Sequence, residues 1–378
     1  MRIALLVPHI FMWDKIKTIF APGELAKDLV NGLVKLGHEV TLFSPGPVRV
    51  KAKNINADLR WFTKEVESLT GKRISKGAVG ELIKKKPLTY VSLSRQIQTE
   101  LVATCYKMAN EGKFDLVHVY TNEEEIALAF AEFVKVPILF THHEPFNFLA
   151  RYRTLFSKYK KRKFISISKS QQKAYPSLNF IGNVYHGIDF KRFKFNPKPK
   201  DYFAFFGRII KPKGTHLAIQ SCLKAGVNLK IAGQHYSGHG GDVYWEKKVK
   251  PFIDGKQIQY VGYLKTDKEK SKFLGGAKAL LMPVAWEEPF GMVMLESMAC
   301  GTPVIGFDKG SLSEVVENGK SGFLVKTLGQ MKSAMRKVDE LNRADVRNHA
   351  EKKFSLERMV RGHESIYESA DNVLRNRD

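Results

Sequence analysis

Apolar residues in this chain fall in short runs, each followed by a stretch where they recur every third or fourth position. The runs predict buried strands and the recurrences amphipathic helices. Residues 2–7 read as a first strand. Leu25, Leu29, Leu33 and Leu36 then mark one face of a helix over 24–36, closed by Gly37. A strand over 39–43 follows a Gly-His turn, and strands over 116–120 and 137–141 flank a helix at 125–134 before another strand at 163–168. The alternation restarts after residue 200, with strands at 203–206, 228–232, 258–261, 279–283 and 304–306. The helices between them are expected at 214–225, 267–274 and 291–299. Between the two series lies a proline-bearing polar linker at 195–200. Residues 331–378 are helical and polar, and Ser355 is placed to cap a terminal helix. The pattern is that of two doubly wound α/β domains, 1–195 and 196–355, followed by a helix over 356–378. In such sheets ligands bind beyond the carboxyl ends of the strands.

Composition narrows the classes. The 43% hydrophobic content excludes global disorder. Cys105, Cys222 and Cys300 are too far apart for a Cys-x-x-Cys pair, which excludes a disulfide framework and suits a reducing cytosol. No apolar stretch is long enough for a membrane span. The opening residues resemble a signal peptide only superficially, since Pro8 and His9 interrupt them and Asp14 and Lys15 close them without a cleavage site. Lys and Arg number 62 against 38 Asp and Glu, a formal charge of +24. That excess requires an anionic partner: nucleic acid, a membrane surface or a phosphorylated ligand. No recognition helix, zinc finger or aromatic RNA-binding motif is present, so nucleic acid is not expected.

The candidate chemistry lies just after strands. Glu288 and Glu296 are eight residues apart in a string running from Trp286 to Val304 that passes a Pro-Phe-Gly turn into a helix. Glu288 in the loop and Glu296 two turns along the helix could address one ligand at the helix start. The amides around Phe290, Gly291 and Met292 would meet an anion there. A carboxylate also suits paired ribose hydroxyls. The loop from Gly207 to Gly214 follows the first strand of the second series. In it Arg208 can fork two hydrogen bonds to phosphate oxygens, and Lys213 adds a point charge.

The Glu288–Glu296 string resembles the E-x7-E signature of the retaining GT-B glycosyltransferases of family GT4, the glycogen-synthase-like and mannosyltransferase-like group. Gly207-Arg208 with Lys213-Gly214, the turn from Val184 to Asp189, Gly301-Thr-Pro-Val304 and the stretch from Phe354 to Arg358 extend the resemblance over nearly the whole chain. It implies two Rossmann-like domains facing across a cleft that closes on its substrates, with the terminal helix returning to the first domain. It also implies a hexose moved from a nucleotide diphosphate sugar, UDP- or GDP-linked, to an acceptor hydroxyl. By this resemblance Gly207, Arg208 and Lys213 hold the diphosphate, and Glu296 binds the ribose. Glu288 contacts the donor sugar with the amides of Phe290, Gly291 and Met292 nearby, and is not a covalent nucleophile. Gly23 stands where the family has a second glycine, here with Pro22 in place of the first. His118, or His142 in the pair His142-His143, would contact sugar or acceptor.

No metal site is expected, because His235 and His239 lack a third ligand and no Asp-x-Asp pair is present. Two first-domain segments concentrate positive charge. Residues 151–173 carry nine basic groups and no acid, and residues 49–86 carry eleven basic and four acidic groups. Lys84, Lys85 and Lys86 belong to the second segment, with Trp61, Phe62, Leu82 and Ile83 interleaved. Basic groups beside exposed apolar ones suit a peripheral position on an anionic membrane, at the inner face of the cell membrane of a cytoplasmic protein. A lipid-linked acceptor in envelope glycan or glycolipid synthesis is the expected partner. A soluble small-molecule or polysaccharide acceptor is the alternative, and a nucleic-acid-binding protein or a catalytically dead sugar-binding scaffold lies further off.

Overall fold

The computed structural model describes residues 1–16, 21–146, 148–235 and 241–375. It contains two wholly parallel sheets. The first is built from β1 (Arg2–Leu6), β2 (Glu39–Ser44), β3 (Lys53–Asn56), β4 (Leu116–Tyr120), β5 (Ile138–Thr141), β6 (Lys163–Ser166) and β7 (Phe180–Asn183), in the order β3-β2-β1-β4-β5-β6-β7. The second contains β8 (Phe203–Phe206), β9 (Leu229–Ala232), β10 (Ile258–Gly262), β11 (Leu280–Met282), β12 (Val304–Phe307) and β13 (Gly322–Val325), in the order β10-β9-β8-β11-β12-β13. Central strands such as β1 and β4 are apolar almost throughout because helices cover both of their faces. Three strands escape the hydrophobic pattern: β3, β7 and β13. Each lies at a sheet edge, where Lys-Asn-Ile-Asn or Phe-Ile-Gly-Asn need bury only part of its surface.

Between β3 and β4, where the sequence showed mainly charge, three helices form: Arg60–Thr70, Lys76–Lys85 and Pro87–Asn110. Phe62, Val66, Ala78, Val79, Leu82, Leu93, Ile97 and Leu101 line their inner faces in one core. The last of them has 24 residues, about 36 Å of helix. It runs back toward the start of β4, and a strand of five residues spans only about 17 Å. Its amino end, with Leu88 and Val91, therefore reaches beyond the carboxyl edge of the sheet.

The chain separates into two compact units: Met1–Ile167 with Gln172–Val184 and Met359–Asp378, and Ser168–Gln171 with Tyr185–Arg358. The expected boundary at 195 is displaced to 184. The Ile188 amide donates to the Phe354 carbonyl at 3.1 Å, and the Leu356 amide to that of Ile188 at 2.9 Å, so this stretch is held by the second unit. The proline-bearing stretch at 195–200 is likewise anchored there. The Asn196 amide donates to the Cys300 carbonyl (3.0 Å), and Arg343 Nε donates to the Asn196 carbonyl (2.7 Å).

The terminal helix Leu356–Arg375 passes from the second unit into the first at Met359. The Ser355 hydroxyl accepts from the Arg358 amide at 3.4 Å, the cap expected for it. Within the first unit Val360 sits on Gly32, where a β-carbon would come within 2.3 Å of the valine side chain. Tyr367 is wholly buried, and Glu364 pairs with His38 at 2.9 Å. No helix among the described residues is long and apolar enough to cross a membrane.

Candidate active site

The carboxyl edge of the second sheet brings together the loops after β8 and β11. The β8 loop runs from Gly207 through a single turn at Lys211–Lys213. The Ala285 amide donates to the Pro212 carbonyl at 2.8 Å, which fastens the β11 loop to it. Across this junction Lys213 Nζ donates to Glu288 Oε2 at 2.6 Å, and Trp286 Nε1 donates to the same oxygen at 2.7 Å. The ammonium lies 5.2 Å from the centre of the Trp286 ring, a cation–π contact. Glu288 is buried, and the paired cation is what makes that burial tolerable. Arg208 is half-buried, and its guanidinium has no hydrogen-bond or ion-pair partner among the described residues.

The β11 loop is held from behind by the turn after β12. The Ser311 amide donates to the Glu288 carbonyl (2.9 Å), the Ser311 hydroxyl to that of Phe290 (2.8 Å), and the Gly310 amide to the Glu287 carboxylate (2.6 Å). A β-carbon on Gly310 would stand 2.2 Å from the Glu288 carbonyl oxygen, so only glycine permits this approach. The Phe290 ring is buried against His186, Tyr185 and Phe354 and anchors the loop, so only its backbone can address a ligand. Gly291 adopts a left-handed conformation (φ 80°) as the first cap of the helix Met292–Ala299. The helix start, with its unsatisfied amides, thus lies next to Glu288. Glu296 lies further along this helix and accepts from Lys270 Nζ at 2.7 Å.

The first unit places the predicted histidines differently. His118 is a side chain of β4 and fully buried. One ring nitrogen is 2.6 Å from the Tyr367 hydroxyl and the other 2.8 Å from that of Thr141. Burial, and then the neighbouring His363, hold its pKa well below the ordinary histidine value. A neutral ring engaged at both nitrogens has nothing left for a substrate, so His118 is a core residue. His142 is also inside, with Nδ1 2.7 Å from Glu124 Oε1 and its ring against Phe146, Tyr152 and Phe156. Burial pushes the Glu124 carboxyl up, against the pull of His142. Gly23 is buried in the first turn of the helix Ala21–Lys35. The partly open groups at this sheet's carboxyl edge are His9, Asn122, Glu123, His143 and Glu144. Among them, the His143 amide donates to Asn122 Oδ1 (2.7 Å), and His9 Nε2 is 3.7 Å from Glu123 Oε1.

Comparison with known proteins matches these two units to two family models. Residues 23–192 match the model described as glycosyltransferase family 4, and residues 187–353 match that of glycosyl transferases group 1. This chain belongs to glycosyltransferase family 4. Among curated relatives of this glycosyltransferase, one from Thermosipho melanesiensis, named a probable sucrose-phosphate synthase, is 24% identical over 92% of this chain and 90% of its own. An uncharacterised glycosyltransferase of Methanocaldococcus jannaschii is 27% identical over 49% of this chain, a match spanning only 52% of that relative. Among solved structures, a sucrose-phosphate synthase of Thermosynechococcus elongatus superposes with a TM-score of 0.73 at 16% identity, over 97% of this chain and 98% of that one. Anabaena HepE, solved with UDP and glucose, gives 0.69 at 15% identity over 98% and 100%. The fold is therefore GT-B, and a family 4 enzyme transfers sugar from a nucleotide sugar.

Sequence reasoning about this glycosyltransferase missed Lys270, Trp286, Gly310 and Ser311. Lys270 left a trace: it is three and four residues ahead of the buried Phe273 and Leu274, on the inward face of its helix, where an unpaired charge would be costly. The expected membrane-facing apolar groups also need correction. Phe62 and Leu82 are core residues, and Trp61 and Ile83 pack against the same core. The exposed apolar side chains beside the lysine run are Leu88 (85% exposed) and Val91 (50%). His235 stacks on Trp245 at 4.6 Å and pairs with Asp242, while His239 lies outside the described residues.

Proposed function

We propose that this glycosyltransferase is a retaining, metal-independent hexosyltransferase that takes its sugar from a UDP- or GDP-linked donor held by the second unit. The observation that carries the reading is the Lys213–Glu288 pair at the carboxyl edge of the second sheet, beside a helix start; Arg208, on the same loop as Lys213, has a guanidinium with no partner among the described residues. Arg208 and Lys213 would take the diphosphate, with the Gly207 loop and the Gly291 and Met292 amides close by. Glu288 would meet donor-sugar hydroxyls, and Glu296 the ribose.

In the step proposed, the bond between the anomeric carbon and the diphosphate oxygen breaks, its electron pair leaving with the diphosphate. The acceptor oxygen bonds to that carbon from the same face and passes its proton to the departing diphosphate. Configuration is retained without a covalent enzyme intermediate. The fixed positive charges favour the charge-separated transition state over the ground state. On the first unit, His9, Asn122, Glu123, His143 and Glu144 supply the hydrogen-bonding groups expected around an acceptor sugar. A membrane-linked acceptor at the anionic inner leaflet fits the lysine run 84–86 with Leu88 and Val91.

A panel of UDP-, GDP- and ADP-sugars, followed by donor hydrolysis and binding, tests the assignment. One donor should bind, with Arg208→Ala and Glu296→Ala each lowering turnover by about a hundredfold and a chelator leaving it unchanged. Wild-type turnover in either variant would exclude this site, and inversion at the anomeric carbon in the product NMR spectrum would exclude the mechanism.

A further inference from the structure

The nucleotide carboxylate has a cation of its own. Lys270 projects from the helix Asp267–Gly275, and its Nζ is 2.7 Å from Glu296 Oε1 and 4.0 Å from Asp267 Oδ1. Asp267 in turn accepts from Arg192 Nε at 2.7 Å, so four charges alternate in sign along one line: Arg192, Asp267, Lys270, Glu296. Only 23% of the Lys270 side chain and 15% of the Glu296 side chain are exposed. The ammonium also lies 5.9 Å from the centre of the Phe206 ring, at the end of β8 immediately before the Gly207–Arg208 loop. Burial disfavours the charged ammonium, but Glu296, with Asp267, more than offsets it, and its pKa lies above the ordinary lysine value.

Accepting two vicinal hydroxyls at once requires a carboxylate fixed in rotation, because a turn about its terminal bond moves both lone-pair sets off the diol. A single charged donor on one oxygen supplies that constraint and leaves the other oxygen for the ligand. We propose that Lys270 is a positioning residue that fixes Glu296 through Oε1 so that Oε2 faces the ribose, and that it thereby sets the preference for ribonucleotides over 2′-deoxyribonucleotides. This rests on the assignment of Glu296 to the ribose. It differs from mere neutralisation of a half-buried acid, which would weaken all nucleotides alike.

The discriminating measurement is the ratio of affinities for UDP and 2′-deoxy-UDP, repeated with GDP and 2′-deoxy-GDP, in the wild type, Lys270→Met, Lys270→Gln and Lys270→Arg. In the Met and Gln variants the ribonucleotide should weaken about tenfold and the deoxynucleotide by less than about twofold. The KM for the nucleotide sugar should rise while kcat changes by less than about twofold. Lys270→Arg should restore the ratio. Melting without nucleotide checks that each variant is folded. Equal weakening of ribo and deoxy ligands, or an unchanged ratio in all three variants, overturns the positioning role while leaving the donor site intact. Wild-type protein that binds neither UDP nor GDP, or Glu296→Ala that binds them unchanged, instead overturns the ribose assignment and the inference with it.

Discussion

His118, His363 and Tyr367 meet inside the first unit from parts of the chain 249 residues apart, and their burial has a consequence for pH. Burial lowers the His363 pKa to about 4 from an ordinary 6.5, and it lowers His118 as well. Both rings are neutral when folded and take up protons more readily when unfolded. Stability is therefore complete above pH 6.5 and is lost as pH falls toward 4, with His363 alone accounting for about 3 kcal/mol. Denaturant melts between pH 4 and 7 should show this slope, and His363→Phe should flatten it; an unchanged slope would reassign it to carboxylates. The same residues show where sequence reading stops. His142 follows the expected rule for ligand groups, lying just after the end of β5, whereas His118 is the central residue of β4. Their partners, Tyr367 on the last helix and Glu124 on another loop, decide their fate and leave no local signal. Arg208, Lys213, Glu288 and Glu296 could be proposed from sequence because loop, helix start and motif are contiguous in the chain, whereas the pairing of Lys213 with Glu288 and of Lys270 with Glu296 needed the fold.

At the scale of elements, the second-unit site is a set of loops tied to one another. The turn after β12 carries no group expected to touch substrate, yet it supplies three hydrogen bonds to the Glu287–Phe290 stretch. Gly310→Ala should push that turn away from the Glu288 backbone and cost about 1–3 kcal/mol. It should raise the KM for donor at least as strongly as it lowers Tm. A drop in Tm with unaltered kinetics would show that the loop keeps its shape without this support. Central strands and the helix that carries Glu296 could be read directly, since each buries a continuous or periodic apolar surface. Three of the four edge strands, β3, β7 and β13, could not, because part of their surface faces water; only β10 was read. The helices between β3 and β4 were obscured by their outer faces, where the lysines lie.

The charge of the whole molecule separates into a small part at the candidate donor site, Arg208 and Lys213, and a larger part on surfaces. Lys84 and Lys85 at the end of the helix Lys76–Lys85, Lys86 at the junction, and Leu88 at the start of the helix that overhangs the first sheet's carboxyl edge are all exposed. Each lysine near an anionic bilayer contributes about 1 kcal/mol. Co-sedimentation with phosphatidylserine-containing vesicles should weaken with salt, and Lys84→Glu with Lys85→Glu and Leu88→Ser should abolish it. Equal binding to neutral vesicles, or none to either, would remove the membrane from the account. The path of the chain has its own consequence. Residues 359–375 complete a unit whose first strand precedes the whole of the second unit in the chain. A ribosome therefore finishes every residue of the second unit while the first still lacks the side chain that covers His118. The early-made half must wait, with part of its interior open, for the segment after Met359 to emerge. In that interval the first unit exposes apolar surface that the finished fold buries, the condition in which a partly made domain is most prone to aggregate.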